Sequence, residues 1–177
     1  YELWPKLVTD VNRNEMIVND VRTTVAEGRF PLILTERKEH LAILEEMLIP
    51  HIENLCVLYG GIGIKKRRKI FDKLNSSGDV PKALLATGAY IGEGFDDPRL
   101  DTLFIAMPIA FKGKVIQYAG RLHRKHHTKT DIRIYDYVDE KVSVAVAMYK
   151  KRLKAYKTMG YEIKEDSSLA VDALIQI

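Results

Sequence analysis

Five short apolar runs set the limits on what this chain can fold into: FPLILT (30–35), LCVLY (55–59), ALLAT (83–87), TLFIAM (102–107) and IRIYDYV (132–138). Between them lie segments whose apolar residues recur every three to four positions, the helical period. Ile17, Val21 and Val25 are spaced four apart in 12–27, a segment that stops at Gly28. Leu41, Leu44 and Leu48 share a face in ERKEHLAILEEML, which Pro50 ends. Residues 64–75 turn Ile70, Phe71 and Leu74 inward, and residues 114–124 make a short helix. Over 139–158, Val142, Ala145, Val146, Tyr149, Leu153 and Tyr156 trace the stripe of a long helix that stops at Gly160. Strands that are apolar on both faces, alternating with helices, need cover on both sides. The expected fold is therefore α/β and doubly wound: a mainly parallel sheet with helices on both faces, plus a C-terminal helical extension. Residues 164–177 give weak signals and read as a tail or a short extra element.

A chain of 177 residues is long enough for one well-buried core and short for two. With 46% hydrophobic and 29% charged residues it has the balance of a soluble globular protein. No apolar run reaches the roughly 18–20 residues needed to cross a bilayer, so no membrane partner is expected. Tyr1 leads into a polar stretch rather than a signal peptide, and an opening on Tyr instead of Met implies further parts upstream. The single Cys56, in ENLCVLYG, reads as a buried, inert thiol. Without a second cysteine there is no disulfide framework, which implies a reducing, cytoplasmic setting. The net charge of +4 fits a nucleic-acid partner without establishing one.

In open sheets of this kind ligands gather at the carboxyl ends of the strands, and the unusual residues fall there. Thr35, Glu36 and Arg37 follow the first strand, Gly60 and Gly61 the second, and TGAYIGEGFDDP the third. QYAGRLHR (117–124) comes after the fourth, beyond a loop with Pro108 and Gly113. On a helix, Arg121 and Arg124 lie one turn apart on one face, and Gly120 lets a ligand approach the backbone. Guanidinium suits polyphosphate because it is planar, permanently charged and grips oxygens with two bonds at once. The competing reading is a solvated basic helix end, with Lys125 and Lys129 complementing the helix dipole. An R-x-x-R alone leaves both open. Asp96-Asp97-Pro98 alone is a turn, and Thr87 alone is a strand end. KKRRK (65–69) reads as the solvated face of a helix. His123, His126 and His127 have no carboxylate or cysteine partner at ligand spacing, so no metal site is expected.

Taken together, the pieces are more specific. Q-x-x-G-R-x-x-R at 117–124, preceded by A-T-x(4)-G-E-G-F-D at 86–96 and by a strand ending in Thr35, resembles the second RecA-like domain of superfamily two helicases. LATGAYIGEGFDDPRLDTLFIAMP is similar to that family's fifth motif, QYAGRLHR to its sixth and LILTERKEHL to its fourth. The resemblance covers residues 28–140. It implies a RecA-like domain there, with residues 1–27 leading in from a first domain and 141–177 as a helical extension and tail. It also implies that Arg121 and Arg124 reach the γ-phosphate of ATP bound on that first domain, with Arg124 the arginine finger and Gln117 supporting it. Asp96 would meet the ribose, with Gly94 allowing close approach. Thr87 would contact the nucleic-acid backbone, as would Thr35, Arg37 and Gly60. The stretch from Thr87 to Asp96 is one residue longer than in the DEAD-box branch, and Gly88 stands where that branch has an Asp. This fits the translocase-like branch near restriction and repair helicases. An ATPase further needs a phosphate-cradling loop, a lysine and a carboxylate for Mg²⁺. No G-x-x-x-x-G-K-[ST] or D-E-x-[DH] is present: GGIGIKK (60–66) lacks the second glycine before lysine. The resemblance therefore implies ATP with Mg²⁺ held by the first domain, a DNA partner, and no turnover by this chain alone. Two alternatives remain at this level. One is an ATP-driven translocase that does not separate strands; the other is a non-catalytic nucleic-acid-binding module.

Overall fold

Gly28, with φ of 81°, ends the first long helix and turns the chain into the first apolar run. In the computed structural model, residues 3–91, 95–109, 112–166 and 172–176 are described. They form two compact units, 1–95 and 96–177.

The first unit opens with α1 (Leu3–Thr9) and α2 (Val11–Ala26). Asp10 caps α2, its side chain accepting from the Arg13 amide at 3.0 Å, a contact that contributes about 1 kcal/mol at a helix start. The expected stripe of α2 is buried: Ile17, Val21 and Val25. Three strands follow, each trailed by a helix: β1 (Pro31–Thr35) then α3 (Lys38–Leu48), β2 (Leu55–Leu58) then α4 (Ile64–Ser76), and β3 (Ala83–Thr87) then α5 (Gly88–Ile91). The strands pair in parallel in the order β2-β3-β1, with Leu32 beside Leu84 and Cys56 beside the same residue. All five residues of β1 and of β3 are buried, as strands covered on both faces must be, while β2 alternates. From α3 come the buried Leu41, Leu44 and Leu48. Leu74 is the one buried residue of α4, and Ile70 and Phe71 are half-buried, with Phe71 stacked on Phe95 at 5.8 Å. Cys56 is buried and burial pushes its thiol up, as an inert core position requires.

The second unit pairs β4 (Thr102–Ile105) and β5 (Arg133–Tyr137) in parallel, with Phe104 stacked on Tyr135 at 4.4 Å. Between these strands lies α6 (Lys112–Leu122), and α7 (Ser143–Thr158) follows β5. Two strands end the unit, β6 (Glu162–Asp166) and β7 (Asp172–Gln176); β7 pairs antiparallel with both β5 and β6. The α/β class and the mainly parallel sheet are as expected.

Three local expectations change. α6 stops at Leu122, so Arg124 lies in the turn after the helix rather than one helical turn above Arg121. α7 begins at Ser143, and its buried residues are Ala145, Arg152, Ala155 and Tyr156, while Val146, Tyr149 and Leu153 are half-buried. Arg152 takes a core position because its guanidinium meets a buried carboxylate. Beyond α7 the tail adds β6 and β7, whose charged residues Glu162, Lys164, Glu165 and Asp166 have little strand propensity of their own.

Candidate functional site

The end of α6 leaves carbonyls with no partner inside the helix, and a side chain must supply donors. Lys129 does so: its Nζ donates to the carbonyls of Leu122 and Arg124, each at 2.7 Å. Burial pulls the Lys129 ammonium below its ordinary range, against the opposing pull of Asp101, Asp97 and Asp96. The basic residue that serves the helix end is therefore Lys129, and neither arginine is needed for that task.

Arg124 projects from the turn that Lys129 closes, with 61% of its side chain exposed. Its Nη1 meets Asp96 Oδ2 at 2.9 Å, and Asp96 is itself 35% exposed. Two residues singled out for the nucleotide thus come together in one ion pair. Gln117 and Gly120 lie on the exposed face of α6 and Arg121 is half-buried beside them. A methyl group added at Gly120 would meet nothing within 4 Å, so no neighbour within the fold demands a glycine there. A surface cavity of about 760 Å³ flanks the turn, lined among others by His123, Arg124, Lys125, His126 and Lys129. His123 is tied to the Tyr161 hydroxyl at 3.0 Å and His126 to the Thr128 hydroxyl at 2.8 Å. Gly94 lies outside the described residues.

In the first unit, Thr35 ends β1 fully buried. It faces His40 of α3, Oγ1 to Nδ1 at 3.0 Å, while His40 Nε2 meets Asn14 Oδ1 at 2.8 Å. The Asn14 oxygen can only accept, so Nε2 carries the proton, and the Thr35 hydroxyl donates to the neutral ring's Nδ1. Burial, then the charge of Arg13, lowers the His40 pKa to about 3. The Thr35 hydroxyl, expected on a strand-binding edge, is turned inward and also accepts the Arg37 amide at 3.3 Å. Thr87 is likewise buried, whereas Arg37 is exposed and Gly60 half-exposed. A side chain at Gly60 would also meet nothing within 4 Å; the strained position is Gly61, at φ 92°.

The sequence reading missed the strongest polar cluster of the second unit. Arg152 Nε and Nη2 donate to Asp136 Oδ2 and Oδ1 at 2.6 and 2.8 Å, and Nη1 donates to the Ile109 carbonyl at 2.9 Å. The Tyr156 hydroxyl donates to Asp136 Oδ2 at 2.8 Å. A signal was present: Asp136 sits between Ile134 and Val138 at strand period, and a carboxylate so buried needs a cation, which an Arg in the α7 stripe provides.

The mainly parallel α/β fold, together with the family match, makes this chain a C-terminal RecA-like domain of the superfamily two helicase class. The chain belongs to the Helicase conserved C-terminal domain family, which matches residues 13–126. Among curated relatives, protein 161L of Invertebrate iridescent virus 6, named as a helicase, is 30% identical over 91% of this chain and 38% of its own length. Transcript termination protein A18 of Vaccinia virus (strain Ankara) is 27% identical over 67% of this chain and 24% of its own length. The chain therefore spans well under half of these relatives. Among solved structures, T4 UvsW matches with a TM-score of 0.66 at 19% identity, over 89% of this chain and 35% of that one. The C-terminal part of the Fun30 ATPase domain matches with a TM-score of 0.64 at 20% identity, over 80% and 46%. At such identities the likeness speaks to the fold alone.

Proposed function

We propose that this chain is the second RecA-like domain of an ATP-dependent nucleic-acid helicase, supplying Arg124 as arginine finger and part of the strand-binding surface. Family membership supports ATP as the substrate and nucleic acid as the polymer acted upon, and we take that polymer to be DNA. The partner is the N-terminal RecA-like domain of the same protein, which would hold Mg²⁺. Gln117 and Arg121 support the phosphate-facing network, Asp96 the ribose, and Arg37 and Gly60 the strand. Thr35 and Thr87, being buried, would act by fixing the strand ends rather than by side-chain contact.

The observation that carries the reading is the division of labour at the end of α6. Lys129 satisfies the helix carbonyls, which leaves the Arg124 side chain, among the described residues, in one exposed ion pair. A pair of that kind contributes about 0.2–1 kcal/mol. A polyphosphate carries more negative charge than one carboxylate and offers the guanidinium fork a two-bond grip, so it can draw Arg124 away from Asp96. The guanidinium would then stabilise charge that develops on the transferring phosphoryl group.

The test is ATP turnover by the full-length protein. Arg124→Ala should lower it by roughly 10³-fold or more, with little change in nucleic-acid affinity. Arg124→Lys should not restore it, because a point charge does not reproduce the planar grip. Lys125→Ala, on an exposed residue, is the silent control. Wild-type turnover in Arg124→Ala together with weakened strand binding would overturn the finger assignment. A second reading, translocation without strand separation, is favoured by the longer stretch from Thr87 to Asp96; a strand-displacement assay separates the two.

A further inference from the structure

We infer that the outer face of α4 is a phosphate-tracking surface for a nucleic-acid strand, extending the contact proposed at Gly60; it rests on the nucleic-acid part of the function above. α4 carries six cations, Lys65, Lys66, Arg67, Arg68, Lys69 and Lys73, against one carboxylate, Asp72. Two of the cations are used within the fold. Arg67 lies over the rings of Tyr90 and Phe71 at 5.0 and 5.5 Å, and Lys66 shares the ring of Tyr59 with Lys38, each at 5.8 Å. Lys65, Arg68 and Lys69 are exposed and make no ion pair among the described residues.

For stability this arrangement is the wrong one. Positions 65, 68 and 69 are neighbours on a helix surface, so like charges face one another at i,i+3 and i,i+4. Lys65 and Lys66 stand in the first turn, where the helix dipole disfavours cations, and no acidic residue is there to offset them. Gly63 precedes the helix with no side-chain cap. Local rules broken together, with no gain inside the fold, mark a surface kept for something outside it. What would relieve the repulsion is a polyanion. Lys65 and Lys69 are about 6 Å apart along the axis. A nucleic-acid strand carries one phosphate charge per nucleotide, and a row of exposed cations can neutralise several of them. An acidic protein is the poorer match, since the one exposed apolar residue of α4, Ile64, stands at its very start and the exposed residues from Lys65 to Lys73 are all charged, unlike the apolar centre that protein interfaces use. The loop Gly60–Gly63 leads directly into this face, and a side chain added at Gly60 or Gly63 would meet nothing within 4 Å.

The test is binding of the full-length protein to a labelled single-stranded oligonucleotide across a salt series, for wild type, K65Q/R68Q/K69Q and, as a reference, Arg37→Gln. The triple variant should bind roughly 10- to 100-fold more weakly at low salt. Its slope of log affinity against log salt should be shallower by roughly two. Its thermal midpoint should be unchanged or higher, which a face needed for folding would not allow. An unchanged slope and affinity, with Arg37→Gln still weakened, overturns this inference and leaves the strand reading standing. A wild-type protein that fails to bind the oligonucleotide even at low salt overturns the nucleic-acid reading itself, and this inference with it.

Discussion

Two arginines of the second unit each hold an aspartate, and the two pairs could hardly be more different. Arg152 and Asp136 are 1% and 0% exposed and meet through two parallel bonds, with the Tyr156 hydroxyl and the Ile109 carbonyl completing the shell. Arg124 and Asp96, 61% and 35% exposed, meet at 2.9 Å on the surface. Desolvation makes the first pair inseparable, since either charge left alone in the core would be very costly. Burial also pushes the Tyr156 hydroxyl well above its ordinary range, with the charge of Asp136 adding to the effect, so it stays a donor at any working pH. The second pair is easily exchanged. The same chemical group thus serves architecture where it is sealed and is available for function where it is not.

That contrast is easiest to break at its strong end. Arg152→Ala should cost about 3–5 kcal/mol in chemical denaturation, because it strands the Asp136 carboxylate. Replacing both partners, as in R152M/D136L, removes the buried charge yet leaves the Ile109 carbonyl and the Tyr156 hydroxyl unmatched, at about 1–3 kcal/mol each. The double variant should therefore recover only part of the loss. A loss under about 1 kcal/mol for Arg152→Ala would mean that burial does not separate the two pairs.

The same contrast shows what could be read without coordinates. The parallel strands and the helices between them were legible because burial on both faces leaves unbroken apolar runs, as in β1 and β3. The position of Arg124 in its turn was not, because the end of α6 is set by a lysine seven residues beyond Leu122. The α7 stripe was read by counting apolar residues alone, which placed Leu153 in the core and passed over Arg152; Leu153 is half-buried, and the aspartate in β5 draws Arg152 into the core. Likewise the Thr35 hydroxyl is occupied by His40, a neighbour five residues on whose burial no local pattern announces.

His40 sharpens the comparison from the first unit, as a buried ring kept neutral by burial and by the nearby charge of Arg13. Its folded pKa of about 3 lies below the ordinary 6.5, so the native ring stays neutral while an unfolded ring takes up a proton below 6.5. The stability it contributes is present in full above pH 6.5 and is lost as pH falls from there towards 3, at up to about 1.4 kcal/mol per pH unit. His40→Gln should remove this component of the acid slope. Denaturation midpoints measured between pH 7 and 4 check it, and an identical slope in wild type and variant would show the ring to be protonated in the fold.

The smallest effect belongs to the open side of the contrast, at Gly120. A glycine inside α6 costs roughly 0.5–1 kcal/mol relative to alanine, and an alanine methyl there meets nothing within 4 Å. Gly120→Ala should therefore stabilise the domain by up to about 1 kcal/mol, read as a rise of roughly 2–4 °C in thermal midpoint. If the face of Gln117, Gly120 and Arg121 is approached closely by a polyphosphate, the same methyl should displace it. ATP turnover by the full-length protein should then fall roughly 10-fold or more, since small misplacements at a reacting centre are expensive. The two readouts are expected to move in opposite directions, and only an external ligand produces that combination. A more stable protein with unaltered turnover would mean that nothing approaches Gly120, and the nucleotide-facing assignment of that helix face would fall while Arg124, beyond the helix, kept its own test.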